Sequence, residues 1–306
     1  MIADTSGLKG DAMFSMTTEK LSPLMAMKFR STEDFFGVSR IVLHRILTTG
    51  LDDIIHYGHR YESSETLETG KIRVKFTNGE TAEGDILVAA DGINSSIRKQ
   101  LLPKTLEPSK VGVAGMVGKV FLNSPEGIMV DPIKRGIAVV CSTDGRGIFA
   151  ASQTFSSEAK AKITDLFAGV VDGVTHEQQL PANAAGENNL ILIGGDDGKK
   201  QLIDDARDYM FYGYLTKYPE KDLMLNKEGS LKDVSQKDLL AAVLKILKDN
   251  NWSPQLVEMV EKTEINTVGY WALQVSPKIP DLSPYKSSNI TFLGDAIHAS
   301  IHPVQP

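Results

Sequence analysis

One cysteine, Cys141, stands in the 306 residues, so the chain can form no intrachain disulfide and a reducing compartment is the simpler setting. No apolar run reaches the length of a membrane span, and Met1 to Lys20 lacks a basic segment followed by an apolar one, the pattern of a cytoplasmic protein. Positive charge is in deficit. The formal net charge is -6, which leaves no broad cationic face to neutralise nucleic-acid phosphates or an anionic membrane. A G-x-G-x-x-G run is also absent: Gly112, Gly115 and Gly118 have the wrong spacing and lie in a strand-like segment. Gly194 to Lys200, GGDDGKK, lacks the spacing and the Ser or Thr of a phosphate loop and reads as a turn. What is present is an ordinary globular composition, 42% hydrophobic and 24% charged, sufficient for a sizeable core and pointing to a small-molecule partner.

Two stretches share one design. In Gly84 to Arg98, GDILVAADGINSSIR, a short aliphatic run is broken by Asp91-Gly92 and followed by Ser95 and a helix-like segment, so it reads strand, tight turn, capped helix. Gly92 supplies backbone freedom, and the start of the following helix offers unpaired N–H groups to an anion or a sugar. Asn289 to His298, NITFLGDAIH, repeats the pattern with Gly294-Asp295-Ala296. His298, His302 and Asp295 could share a helical face and hold a metal, but Pro303 disfavours a helix at His302, and no metal is assigned.

Elsewhere, Met1 to Val38 has no clear period and reads as extended segments and loops. From Ser39, a plausible N-cap, the spacing of Leu43, Ile46, Leu47 and Leu51 predicts a helix. Lys71 to Phe76 alternates, Asn78-Gly79 is a hairpin turn, and Thr81 leads back toward Gly84. A Pro, Lys and Glu-rich stretch from Pro103 to Pro108 marks a boundary. Beyond it Val111 to Leu122, Gly136 to Ser142 and Gly147 to Thr154 read as strands of an antiparallel sheet. Helices are expected over Ser157 to Phe167, Asp204 to Leu215, Asp238 to Lys248 and Trp252 to Glu261, then a strand over Ile265 to Val275. Tyr209, Phe211, Tyr212, Tyr214, Tyr270 and Trp271 could line a cavity, but aromatics at such spacing more often fill a core, and none is assigned a role.

Ala90-Asp91-Gly92, Ser95 and Arg98, followed about two hundred residues later by Phe292 to His298, resemble the two later motifs of the FAD-dependent aromatic hydroxylases, the single-component flavoprotein monooxygenases related to para-hydroxybenzoate hydroxylase. Arg40, Leu43 and Leu47 match that family's R-x-x-L-x-x-x-L. The resemblance implies an α/β (α+β) fold: residues 1–107 and 286–306 as part of a Rossmann-type FAD-binding domain lacking its first βαβ unit, and residues 108–285 as an antiparallel-sheet substrate domain whose sheet walls a pocket. It implies that Asp295, with Gly294 and Ala296, meets the ribityl chain of FAD, that Asp91 and Gly92 lie near its diphosphate and the nicotinamide path, and that Arg40 meets phosphate or ribose, while Arg98 buttresses its turn. The activity implied is hydroxylation of an aromatic or polyketide-like molecule, with NAD(P)H as co-substrate.

The chain departs from the family in having no N-terminal glycine fingerprint, and His302 stands where the family has proline. Loss of the first strand would leave neighbouring strands unpaired and apolar surface exposed. Two other readings stay open at this level: a flavin-free derivative acting as a small-molecule binder or cofactor-independent isomerase or cyclase, and a truncated gene product without activity. Substrate identity, nicotinamide preference and oligomeric state have no sequence signal here.

Overall fold

The computed structural model describes residues 13–28, 40–102, 109–122, 133, 136–168, 207–217, 223, 234–275 and 289–298. By contact the chain divides into two units, Met1–Gly50 with Gly112–Ala272, and Leu51–Val111 with Leu273–Pro306.

The first unit is built on a seven-stranded sheet. Its strands are β1 (Met13–Thr18), β2 (Pro23–Lys28), β7 (Ser109–Phe121), β8 (Gly136–Cys141), β9 (Gly147–Gln153), β10 (Tyr209–Thr216) and β11 (Gly269–Val275), in the order β11-β7-β10-β9-β8-β1-β2. β7, β10, β9 and β8 pair antiparallel in sequence along the sheet, as the alternation of the three segments from Val111 to Thr154 predicts. One close approach constrains β7: a Cβ on Gly115 would lie 1.7 Å from the Tyr214 carbonyl oxygen, so the glycines there serve strand packing.

Two sequence expectations are corrected here. Tyr209–Thr216 is a strand where a helix was expected from Asp204 to Leu215. Alternation decides it: Met210, Tyr212 and Tyr214 turn one way and are completely buried, and β-favouring aromatics hydrogen-bond to neighbours on both sides. Met13–Lys28, expected to be extended segments and loops and grouped with residues 1–107, forms β1 and β2 of the large sheet. β1 runs parallel to β8 in unbroken register from Met13 opposite Gly136 to Thr18 opposite Cys141, a pairing between distant segments that local periodicity cannot announce.

Among the other elements of this unit are the helices α1 (Arg40–Thr48), α3 (Ser157–Ala168), α4 (Gln236–Asp249) and α5 (Pro254–Glu261). α4, expected from Asp238, starts two residues earlier at Gln236: the Ser235 hydroxyl accepts from Asp238 N at 3.1 Å and donates to the Asp238 carboxylate at 2.7 Å. α5 has Pro254 in its first turn. Their apolar stripes, Leu239, Val243, Leu247, Leu256 and Met259, join Val140, Ile148, Met210 and Tyr212 in the main core on one sheet face. Burial raises the Tyr212 phenol well above its ordinary pKa, so it stays protonated and hydrogen-bonds Thr263 at 2.5 Å. On the opposite face, α1 and α3 cover one end, where Val42, Phe155 and Ile163 pack with Tyr209. The expected strand from Ile265 begins later, because Ile265–Thr267 forms a 3-10 turn. The Gly194 to Lys200 turn and the Ser39 cap lie outside the described residues.

The second unit holds a small antiparallel sheet, β3 (Tyr61–Thr66), β4 (Ile72–Phe76) and β5 (Thr81–Gly84), with the anticipated turn at Asn78-Gly79. It also holds a two-stranded parallel sheet of β6 (Leu87–Ala89) and β12 (Ile290–Phe292), and the short helices α2 (Ser96–Leu101) and α6 (Asp295–His298). Ile86, Val88 and Leu293 are exposed around the parallel pair.

Two outcomes are expected. Leu247→Ala, at a fully buried position, should cost about 2–5 kcal/mol in denaturant unfolding with little change in slope. The His59 imidazole is raised above its ordinary pKa first by its 2.8 Å hydrogen bond to Glu80 and next by the Tyr57 carbonyl. A group raised on folding stabilises fully below its unfolded value and loses that contribution as pH rises through the folded one. NMR titration should therefore place His59 above about 6.5, and Glu80→Gln should bring it back toward that value.

Candidate functional site

β6 and β12 are three-residue strands whose register sets the site: Leu87 faces Ile290, Val88 faces Thr291 and Ala89 faces Phe292, all parallel. Leu87 N donates to Asn289 O and Leu293 N to Ala89 O, both at 2.9 Å, so pairing continues to the carboxyl ends of the strands. Because the strands are parallel, Asp91-Gly92 and Gly294-Asp295 emerge on the same edge of the pair. In open α/β sheets that edge is where ligands bind.

At the first turn Gly92 has φ +80°, and Ser95 N closes back onto its carbonyl at 3.0 Å. Ser95, completely buried, accepts from Arg98 N at 3.0 Å. The Asp91 carboxylate accepts from Ser96 N at 2.9 Å and Ile97 N at 3.5 Å, and Lys99 N bonds Ser95 O. This corrects the expectation that the helix start offers N–H groups to an anion: those of α2 are satisfied by Asp91 and Ser95. Asp91 is therefore the helix cap as well as the exposed end of the turn.

At the second turn Gly294 has φ +57°, and Ile297 N and His298 N both bond its carbonyl, at 3.0 and 3.1 Å. Asp295 is exposed and Ala296 completely buried. Among the described residues the N–H groups of Asp91, Gly92, Gly294 and Asp295 have no partner, and a Cβ built on either Gly92 or Gly294 would meet nothing within 4 Å. Both turns thus present open backbone.

Arg98 joins them. Only 6% exposed, it donates from Nη1 to Ala296 O at 2.6 Å in the second turn and from Nη2 to Ile93 O in the first. The bond to Ile93 is the buttress anticipated for its own turn. The bond to Ala296 has no local signal, since its partner is 198 residues away. Beside this turn the Tyr61 hydroxyl meets Ser64 Oγ at 2.8 Å and the Gln100 amide oxygen; burial, then the nearby Asp91 charge, raises its pKa. Sequence reasoning passed over Tyr61. Arg40 opens α1, but its side chain lies outside what is described, and so does His302. Of the sequence-predicted residues, the structure gathers Asp91, Gly92, Gly294, Asp295 and Ala296 at one strand pair.

No family model matches the chain. Among curated proteins it is similar to the dual O-methyltransferase/FAD-dependent monooxygenase elcB of Phaeosphaeria nodorum, with 27% identity over 274 residues, 86% of this chain and 26% of that protein. Among solved structures it is similar to HpxO of Klebsiella pneumoniae complexed with FAD and uric acid, with a TM-score of 0.62 and 15% identity, covering 96% of this chain and 58% of that one. It is also similar to the 2,6-dihydroxypyridine-3-hydroxylase of Arthrobacter nicotinovorans, with a TM-score of 0.54 and 13% identity, covering 96% and 62%. These likenesses show the fold, that of the FAD-dependent hydroxylases. The chain spans about a quarter of the length of the curated relative and about three-fifths of the solved ones.

Arg98→Met should strand the Ile93 and Ala296 carbonyls and cost about 2–3 kcal/mol in urea unfolding, while Arg98→Lys, which keeps one donor group, should lose less.

Proposed function

We propose that this chain, which resembles the FAD-dependent monooxygenases in sequence and the FAD-dependent hydroxylases in fold, forms the substrate sheet and the later cofactor turns of such an enzyme, hydroxylating an aromatic or polyketide-like small molecule. The observation that carries the reading is the placement of two open glycine turns, each with an acidic residue, on the same edge of one parallel strand pair.

The residues present suit the cofactor in chemistry. FAD, when bound, supplies the redox and oxygen chemistry, with NAD(P)H as the source of electrons. The chain's part is to bind and orient. Asp295 is an exposed acceptor suited to the hydroxyls of a ribityl chain, and Gly294 and Ala296 set the backbone around it. At the first turn a carboxylate repels a phosphate, so the donors toward an anion are the N–H groups of Asp91 and Gly92, while the Asp91 side chain holds the turn through α2. Gly92 permits close approach because no side chain intervenes. Arg40 is assigned to phosphate or ribose by the family resemblance alone, its side chain lying outside the described residues. Arg98 acts through the turns it ties, without meeting the cofactor. We place the activity in the cytoplasm, consistent with a lone cysteine and with the absence, among the described residues, of a helix long and apolar enough to cross a membrane.

One specific observation favours a second reading, a flavin-free small-molecule binder: the α2 N–H groups that could have gripped a phosphate are already occupied. A single titration separates the two. The purified chain, mixed with FAD and followed by flavin fluorescence, should bind it, and Asp295→Ala should weaken binding by about tenfold without altering cooperative unfolding. A folded chain with no affinity for FAD would establish the flavin-free alternative instead.

A further inference from the structure

α2 has 6 residues, Ser96–Leu101, well under the roughly 12–15 at which a helix holds its shape in water by itself, so its placement is set by what its side chains grip. At its start those grips belong to the site: Asp91 and Ser95 cap it, and Arg98 ties it to both glycine turns. Such bonds travel with the turns. They fix the joint internally rather than against the small sheet.

In the last turn of α2, Gln100 supplies that tie. Its amide meets both backbone groups of one residue of β3: Nε2 donates to Ser64 O at 2.8 Å, and Oε1 accepts from Ser64 N at 3.3 Å. Oε1 also accepts from the Tyr61 hydroxyl. That hydroxyl has one proton and gives it to Gln100, so at its 2.8 Å contact with Ser64 Oγ the serine is the donor. A single hydrogen bond is a pivot, whereas a flat amide bonded through both its ends cannot turn. Ser64 stands opposite Val74 of β4, which is only 9% exposed, so Gln100 grips a position set by the packed part of the small sheet. The cluster also lies within electrical reach of the turn, since burial and then the Asp91 charge raise the Tyr61 phenol.

We infer that Gln100 is a positioning residue: by holding α2 on Ser64 and Tyr61 of β3, it sets where the Asp91-Gly92 turn stands and how the N–H groups of that turn meet a ligand. FAD as the ligand comes from the monooxygenase reading, on which this role rests; the position of the turn can be measured without it.

The test compares the purified chain with Gln100→Met by ¹H–¹⁵N NMR, and then titrates both with FAD. Methionine keeps the length and helix propensity of glutamine and makes none of its three bonds. The variant should shift the Asp91 and Gly92 amide resonances along with those of Tyr61 and Ser64, and bind FAD about three- to tenfold more weakly. Tyr61→Phe, which removes one bond of the three, should do the same to a smaller degree. Should Gln100→Met fail to fold, Gln100→Glu, which keeps the acceptor for Tyr61 and Ser64 N and loses the donor to Ser64 O, is read in its place. Resonance changes confined to β3 and the last turn of α2, or unaltered FAD affinity in a folded variant of a chain that binds FAD, would mark a purely structural contact and overturn the assignment. A chain without affinity for FAD whose Asp91 and Gly92 resonances still move with Gln100 would sink the monooxygenase reading and leave the positioning role standing.

Discussion

The arrangement depends on one buried guanidinium. Arg98 sits on α2 beyond the first turn, yet its donors end on carbonyls of both turns, Ile93 and Ala296. A two-stranded parallel sheet of three-residue strands is a weak platform by itself, because so few ladder bonds hold it and its aliphatic side chains remain exposed. A charge-assisted bond to each turn locks their spacing in a way the ladder alone could not. With Ser95 completely buried beneath it and Asp91 capping α2, the polar groups around this joint satisfy one another, and the backbone left without partners is concentrated at the two glycine turns.

The larger sheet follows a different constraint. Alternation divides each strand between two faces, and the faces are treated unequally. One is sealed by α4 and α5 over completely buried Val140, Met210, Tyr212 and Tyr214. On the other, the described cover is that of α1 and α3 around Tyr209.

The sequence was most legible where function and local geometry coincide. Asp91-Gly92 and Gly294-Asp295 could be read as strand-ending turns because glycine after an aliphatic run has few other uses, and both have the positive φ that reading requires. α4 was legible from its apolar stripe, α5 from the Trp252-Ser253-Pro254 that opens it, and the β4–β5 hairpin from Asn78-Gly79. Misreading set in where a segment's partner is remote. The Tyr209–Thr216 stretch has apolar residues at both helical and strand spacings, and only the neighbours on its two sides settle which period is used. Met13–Thr18 gives no cue that it will lie parallel to a strand more than a hundred residues away.

By itself the amino-acid sequence determined which backbone positions can reverse sharply, which helices have caps and apolar stripes, and that two turns of the same chemistry end two aliphatic strands, because each of these properties is set within a few residues. Only tertiary structure decided that the two turns share an edge, that Asp91 and Ser95 consume the helix N–H groups, and that Arg98 spans both turns. Those outcomes depend on hydrogen bonds and packing between segments far apart in the chain, where a donor's choice of acceptor is made by the fold and leaves no trace in local order.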